Sequence, residues 1–311
     1  MKQFKGSIIL LVTAIIWGTA FVSQKVGMDY IGPFTFGASR FLLGAVVLIP
    51  LILVSDWFDR SRRESLKENC PQPAYRMQDL LGGGILCGAA LFFGASFQQY
   101  GIVYTTAGKA GFITALYIVL VPLLGLLAGR KGKPNTWIGV AMAAAGLYLL
   151  TINEGFSMQS GDFIVLIGTI FWALHIITVD AYAGRADGLK LSFVQFATAG
   201  IFSAISAGVF ENPDIKSIEA CSGPILFSAV FVVGIAYTLQ ILGQKYTKPT
   251  VAAIILSMES FFAAVSGAAL LGEVMSAKEK AGCALMLAAV VVTQVKAGGN
   301  AGTCSETGQN A

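Results

Sequence analysis

The sequence predicts an all-α integral membrane protein. Ten transmembrane helices form two inverted five-helix repeats, with both termini in the cytoplasm. Three observations carry this expectation. Of the 311 residues, 55% are hydrophobic and 12% charged, with a mean hydropathy of +0.72, whereas a soluble domain carries about 25% charged residues. The apolar residues fall in runs of about 18–22, enough to cross a hydrocarbon core of roughly 30 Å. Finally, the chain repeats itself at a distance. Gly6-Ser7-Ile8-Ile9 through Trp17 aligns with Gly161-Asp162-Phe163-Ile164 through Trp172 at an offset of 155. At that offset Phe41 falls on Phe196 and Arg40 on Gln195. Gln98, Gly101, Tyr104 and Thr105 fall on Gln240, Gly243, Tyr246 and Thr247 at an offset of 142.

In chain order the spans are expected at 6–24, 33–54, 80–99, 107–128 and 135–152, then 162–182, 191–210, 223–244, 250–271 and 279–296. Residues 1–152 make the first repeat, 153–296 the second, and 297–311 a polar, disordered tail rich in Gly and Ser. An odd number of spans per repeat forces the two copies into opposite orientations. That design is usual for alternating-access carriers, whose site lies between the halves near the midplane. The longest connection, 55–79, is polar, carries Pro71 and Pro73, and reads as a loose loop that could hold a surface helix. Gly82, Gly83, Gly84 and Gly88 open the third span, and Gly84-xxx-Gly88 has the spacing for close helix approach. No GK[ST] follows, so a phosphate loop is excluded.

Charge placement sets the orientation. With the N-terminus inside, Lys25, Lys109, Lys216, Lys278 and Lys280 lie outside and the other fifteen non-span Lys and Arg lie inside. That bias satisfies the positive-inside rule. The basic stretch 60–76 is therefore a topology signal, and its admixture of Asp59, Glu64 and Glu68 argues against nucleic-acid binding. Lys2 and Lys5 before an apolar run imitate a signal peptide, but no small-residue cleavage site follows and the run has a partner at 161–182. The five cysteines form no disulfide framework. One histidine and no CxxC make a metal site or metal cofactor unexpected.

The stretch Ala14-Ile15-Ile16-Trp17-Gly18-Thr19-Ala20-Phe21 resembles the drug/metabolite transporter superfamily, EamA type. So do Pro33-Phe34-Thr35-Phe36, Arg40-Phe41-Leu42-Leu43, Met258-Glu259-Ser260-Phe261-Phe262-Ala263-Ala264 and Leu270-Leu271-Gly272-Glu273. The resemblance covers nearly the whole chain. It implies ten helices, cytoplasmic termini, a central cavity and movement of small organic metabolites, with export slightly favoured. Where the family often has Pro after the glutamate of the ninth span, this chain has Ser260, which puts a kink there in doubt.

Ionisable groups at membrane depth are functional candidates by default. Glu259 lies near the midplane, with Ala252 and Ala263 on its face. It is a candidate for substrate binding and for proton coupling, or else a packing residue held by hydrogen bonds. The 142 offset places Tyr117 as its mate, at similar depth across the axis. Trp17 and Trp172 are mates too, both away from the interface where tryptophan normally anchors. They line a cavity or pack in the core. His175 could move protons or satisfy a neighbour. Arg40 could hold a carboxylate or phosphate, snorkel, or bond helix-end carbonyls. Gln98 and its mate Gln240 are open to a cavity role, while Gln244 packs and Asp180 is a helix-end charge. Glu273, just beyond its span, fits gating or loop anchoring.

No ATP-binding motif, Ser-His-Asp set or HExxH is present, so no catalytic residue is assigned. The expectation is a secondary transporter of a small molecule in the plasma (inner) membrane, driven by a proton gradient or by exchange. A passive channel or facilitator, and further off a membrane-embedded enzyme, are the alternatives. Substrate and oligomeric state are not readable from the residues.

Overall fold

The computed structural model describes residues 2–66, 75–130, 133–151, 159–271 and 276–294. Helices account for almost all of them: α1 Lys2–Gly27, α2 Pro33–Leu66, α3 Met77–Val103, α4 Ala107–Ala115, α5 Tyr117–Leu127 and α6 Pro134–Thr151. The second half gives α7 Ser160–Tyr182, α8 Gly188–Phe210, α9 Ile215–Ala220, α10 Ser222–Gln244, α11 Pro249–Leu256, α12 Met258–Leu271 and α13 Ala277–Gln294. Among the described residues, seven helices are long and apolar enough to cross a membrane, taking α4 and α5 together. Pro134–Leu150 and Pro249–Val265 are shorter apolar helices. The expected tenth span falls on α13, whose first turn carries Lys278, Glu279 and Lys280 and is correspondingly polar. The expected disordered tail and Glu273 lie outside the described residues.

Local chemistry sets the helix starts. Pro33, Pro134 and Pro249 open α2, α6 and α11, where a missing N–H costs nothing. Thr106 caps α4 by accepting from Lys109 N–H at 3.2 Å, and Asp187 caps α8 by accepting from Lys190 N–H at 3.0 Å. The loose loop expected over 55–79 is helical as far as Leu66, because α2 runs on without a break, and residues 67–74 lie outside the described residues. Nothing in Asp56-Trp57-Phe58-Asp59-Arg60 interrupts a helix, so the backbone continues past the apolar run.

Two of the expected spans are broken in the middle. The fourth breaks at Leu116, between α4 and α5, and the ninth at Ser257, between α11 and α12. At the first break Leu116 N–H turns to Ile113 O at 3.2 Å. At the second, Ser260 N–H turns to Ser257 O at 3.2 Å and Ser257 Oγ donates to Ile254 O at 2.9 Å. An interruption is thus present beside Glu259 although Ser260 replaces proline, because a hydroxyl takes over backbone bonding there. In α10, Ser228–Tyr237 widens into π-helical geometry, which re-aims the residues that follow.

The internal repeat governs the packing. α1 lies against α10 and α12, α7 lies against α3, α4 and α5, and α2 crosses α8 while α6 runs along α13. Glycines make the closest crossings. A Cβ on Gly6 would stand 2.8 Å from Gly243 O, and one on Gly101 would stand 2.8 Å from Gly161 O. Offsets of 155 and 142 carry the first pair onto the second. Gly84 and Gly88 admit Val194 and Thr198 of α8. Direction follows from the ends. Lys25, near the end of α1, donates to Ile102 O at 2.6 Å and Thr105 O at 3.1 Å. Gly101, beside them, touches Gly161 at the start of α7. The end of α1 therefore meets the start of α7, and the two lead helices run antiparallel.

The repeat also reproduces a pair of ties between the halves at opposite ends of the bundle. Where α1 finishes, the Glu211 carboxylate at the close of α8 accepts from Phe34 N–H at 2.8 Å, Thr35 N–H at 2.8 Å and the Thr35 hydroxyl. Offset by 155, Thr35 becomes Lys190 and Asp56 becomes Glu211. Where α1 begins, Lys190 Nζ pairs with Asp56 Oδ1 at 2.9 Å, with both side chains about 40% exposed. Each repeat thus holds the first turn of the other's second helix. Buried Asp162, bonded to Thr105 and 3.7 Å from Lys109 Nζ, joins the first end, while Arg130 to Asp180 at 2.7 Å joins the second.

Candidate functional site

The two helix breaks bring Tyr117 and Glu259 together. Tyr117 opens α5 and Glu259 follows Met258 at the start of α12, so both sit at the middle of a discontinuous span. The Tyr117 hydroxyl donates to Glu259 Oε1 at 3.1 Å, and both residues are buried. Next to them, the Ser260 hydroxyl donates to Gly111 O at 3.3 Å, tying α12 to α4.

A cavity opens at this pair. It is lined by Trp17, Ala20, Phe21 and Gln24 of α1, Gln98 of α3, Thr114, Tyr117, Trp172, Val232, Tyr237 and Glu259. Every one of α1, α3, α4, α5, α7, α10 and α12 contributes, so the cavity lies between the repeats. Its volume is about 30 Å³. That is the share of about one water molecule in the liquid. Ligand pockets run to roughly 300–1,000 Å³. In this conformation the centre is too small to hold an organic solute.

Five of the eight residues singled out from sequence line the cavity: Trp17, Gln98, Tyr117, Trp172 and Glu259. His175, Arg40 and Gln240 stand behind the wall. His175 Nε2 meets Gln195 Oε1 at 3.1 Å, and its ring lies edge-on to Trp172 and Tyr237. Arg40 is stacked over Phe36 and Phe41, which removes snorkelling and helix-end bonding as its roles. Gln240 is spoken for by its neighbour: its Nε2 donates to Gln244 Oε1 at 2.9 Å, and Gln244 donates to Ile176 O at 2.8 Å. The mate of Gln244 is Ile102, so Gln98 has no such neighbour and is left for the cavity.

Tyr237 shares a face of the eighth span with Gln240 and Gln244 in the sequence but is not among the residues singled out there as candidate site residues. It stacks nearly parallel on Trp172 (6.1 Å, 8°) and tilted against Trp17 (4.9 Å, 58°), which makes it the hub of the aromatic wall. Phe196 and His175 close the hub from behind. Its face of α10 is visible in the spacing of Tyr237, Gln240 and Gln244. Its mate is Ala95, though, so the repeat gave no second signal for it.

A separate groove of about 800 Å³ opens between α2, α3, α7 and α8 near the end where α1 finishes. Phe34, Phe92, Phe93, Phe97 and Phe210 give it an apolar lining, and the Glu211 tie lies at its rim. Phe92 lines this groove and also belongs to the buried apolar cluster that contains Trp17, Tyr117 and Trp172.

Comparison with known proteins adds a family. The sequence profile of the EamA-like transporter family matches residues 4–152 and again 159–294. A protein of Archaeoglobus fulgidus described as an uncharacterized transporter is 30% identical over 297 residues, covering 95% of this chain and 88% of that one. An uncharacterized inner membrane transporter of Escherichia coli K12, YedA, is 23% identical over 290 residues, covering 89% and 87%. One crystal structure superposes with a TM-score of 0.70 at 18% identity, across 93% of this chain and 96% of that chain, and shares the fold.

Proposed function

Because this chain belongs to the EamA-like transporter family, a family of multi-pass membrane proteins, we propose that it is a secondary carrier of a small organic solute working by alternating access. Its central site is the Tyr117–Glu259 pair between the two repeats. The observation that carries the reading is the 3.1 Å bond from the Tyr117 hydroxyl to Glu259, made across the repeats where two helices are broken. Discontinuous helices meeting at the midplane are the recurrent way for such carriers to expose polar groups to a solute. The closed cavity is the occluded stage of the cycle, and the two sets of ties at opposite ends are broken in turn.

The topology in this reading has ten crossings, α4–α5 and α11–α12 each making one, and the chain runs in the plasma membrane with both termini inside. The excess of Lys and Arg at the end where α1 begins supports that orientation. Glu259, the one carboxyl among the described cavity-lining residues, takes the proton if transport is proton-coupled. Export is the favoured direction, on the family resemblance alone.

The test is thermal stabilisation of the purified protein against amino acids, sugars, nucleotides and cationic drugs, followed by counterflow in proteoliposomes with any compound that binds. Binding raises apparent stability by mass action. A shift present in the wild type, absent in Glu259→Gln and Tyr117→Phe, and matched by counterflow supports the reading. Binding and flux unchanged in both variants would move the site elsewhere.

A further inference from the structure

One buried charge has no ion-pair partner among the described residues. Arg40 is 2% exposed, with its guanidinium 5.3 Å from the Phe36 ring centre and 4.8 Å from that of Phe41. Its Nε–H has no acceptor, and among the described residues no carboxylate stands within ion-pair distance. A guanidinium held away from water without a counter-ion is strongly disfavoured, and two ring faces offset only part of that.

The repeat shows where the missing partner belongs. The mate of Arg40 is Gln195, and Gln195 has a partner in the imidazole of His175. The mate of His175 is Ala20, which lines the central cavity. Where the second repeat supplies a polar ring, the first supplies a methyl group and a cavity wall. The group that Arg40 lacks is therefore absent from the cavity side.

A second observation points the same way. Trp17 and Trp172 are 8% and 6% exposed, both line the cavity, and neither indole N–H has an acceptor. The hydroxyl of Thr114, also on the wall, has no partner either. Two unanswered N–H donors and a hydroxyl on the wall, with a cation behind it, are complementary to a ligand that carries acceptors and a negative charge, which requires the Glu259 carboxyl on the same wall to be neutral when the anion binds.

We infer that the central site takes a small carboxylate anion, held by the Trp17 indole N–H with its other acceptors facing Trp172 and Thr114, and with the Arg40 guanidinium behind the wall as its counter-charge. This rests on the central-site reading above for its location and adds the substrate class. Opening of the halves makes room for the solute, and closure seats its carboxylate on the wall in front of Arg40.

The experiment titrates the purified protein with acetate, succinate and glutarate against acetamide, succinamide and glutaramide, following thermal stability and tryptophan fluorescence. Wild type, Arg40→Gln, Arg40→Lys and Trp17→Phe are compared. The expected result is stabilisation by carboxylates and not by their amides, weakened at least tenfold in Arg40→Gln and less in Arg40→Lys, with Trp17→Phe between. Amides binding as tightly as carboxylates, no carboxylate stabilising the wild type, or an unchanged affinity in Arg40→Gln would each overturn the inference. The wild-type comparison of acid with amide decides even if a variant does not fold. Counterflow in proteoliposomes separates the two readings. Carboxylate binding without counterflow keeps the anion site and removes the carrier. Counterflow of a neutral or cationic solute with no carboxylate binding does the reverse.

Discussion

Removing the Glu211 side chain should open one end of the bundle far more than removing Asp56 opens the other. The carboxylate of Glu211 accepts two backbone N–H groups at 2.8 Å and the Thr35 hydroxyl, all at the first turn of α2. Bonds to a charged group are worth about 1.5–3 kcal/mol each when fully protected, but Glu211 is half-buried and water takes over part of each. About 1 kcal/mol per bond survives that discount, and the favourable end of the α2 dipole adds ~0.3–1 kcal/mol. The tie is then worth about 3–4 kcal/mol. The Asp56–Lys190 pair is a single contact between groups about 40% exposed, worth about 0–1 kcal/mol. At 1.4 kcal/mol per tenfold, Glu211→Ala raises the population open at its end by roughly a few hundredfold, and Asp56→Ala raises the population open at the other end by less than about fivefold. The assay places a cysteine at Thr114, a buried cavity-lining residue, in a background without reactive cysteines. Its modification by a membrane-impermeant maleimide is timed from each side. Equal acceleration by the two substitutions, or none by Glu211→Ala, would refute the argument from burial and bond number.

Three further outcomes are expected. Glu259→Gln should fold normally, since a polar contact between membrane helices is worth around 1 kcal/mol or less. Uptake into vesicles should then lose its dependence on external pH, and a pH profile identical to the wild type would remove Glu259 as the proton carrier. Gly161→Ala puts a Cβ 2.6 Å from Gly101 O and 2.8 Å from the backbone of Tyr104, which should cost about 1–3 kcal/mol. Gly82→Ala, with nothing within 4 Å, should be neutral or stabilising by up to ~1 kcal/mol, and melting curves of the two variants in detergent decide. Cys221, fully buried and just outside α10, has its thiol pushed up by burial. Since the thiolate is the nucleophile, the native protein should leave Cys221 unmodified by maleimide at neutral pH, with reaction appearing on denaturation.

What was legible in the residues was the part of the architecture that packing makes repetitive. Gly6, Gly161, Gly101 and Gly243 keep their register because close helix crossings admit no Cβ there. The same register put Tyr117 opposite Glu259, and the structure places them 3.1 Å apart. Illegible were features with no local signature or no mate. Neither Leu116 nor Ser257 is a helix breaker by residue type, yet both mark breaks, the second with the Ser257 hydroxyl turned back to Ile254 O. The π-helical stretch of α10 has an ordinary apolar sequence, Ser228–Tyr237. Tyr237 is paired with Ala95, so a search by symmetry passes over it. The groove lined by Phe34, Phe92 and Phe210 arises only when four helices meet, and no single segment announces it.

The places where the two repeats differ carry the direction-dependent behaviour. Identical halves would give two equal end states. Here Arg40 answers to Gln195, Ala20 to His175, and Thr35 with its Glu211 tie to Lys190 with Asp56. The stronger tie lies at the end where α1 finishes, so under the proposed mechanism the opposite end should open more easily. Such a bias cannot set the direction of net transport, which gradients alone determine. It sets how tightly each face captures the solute, because apparent affinity is the intrinsic affinity scaled by the fraction of protein open to that face. Under the proposed alternating access, a tie worth about two powers of ten more at one end would make a carrier that captures readily from the side where α1 begins and weakly from the other. Such a carrier works at low concentration on the first side and releases against a higher one on the second. Loosening Glu211 should equalise the half-saturating concentrations measured from the two faces without altering the gradient at which flux stops.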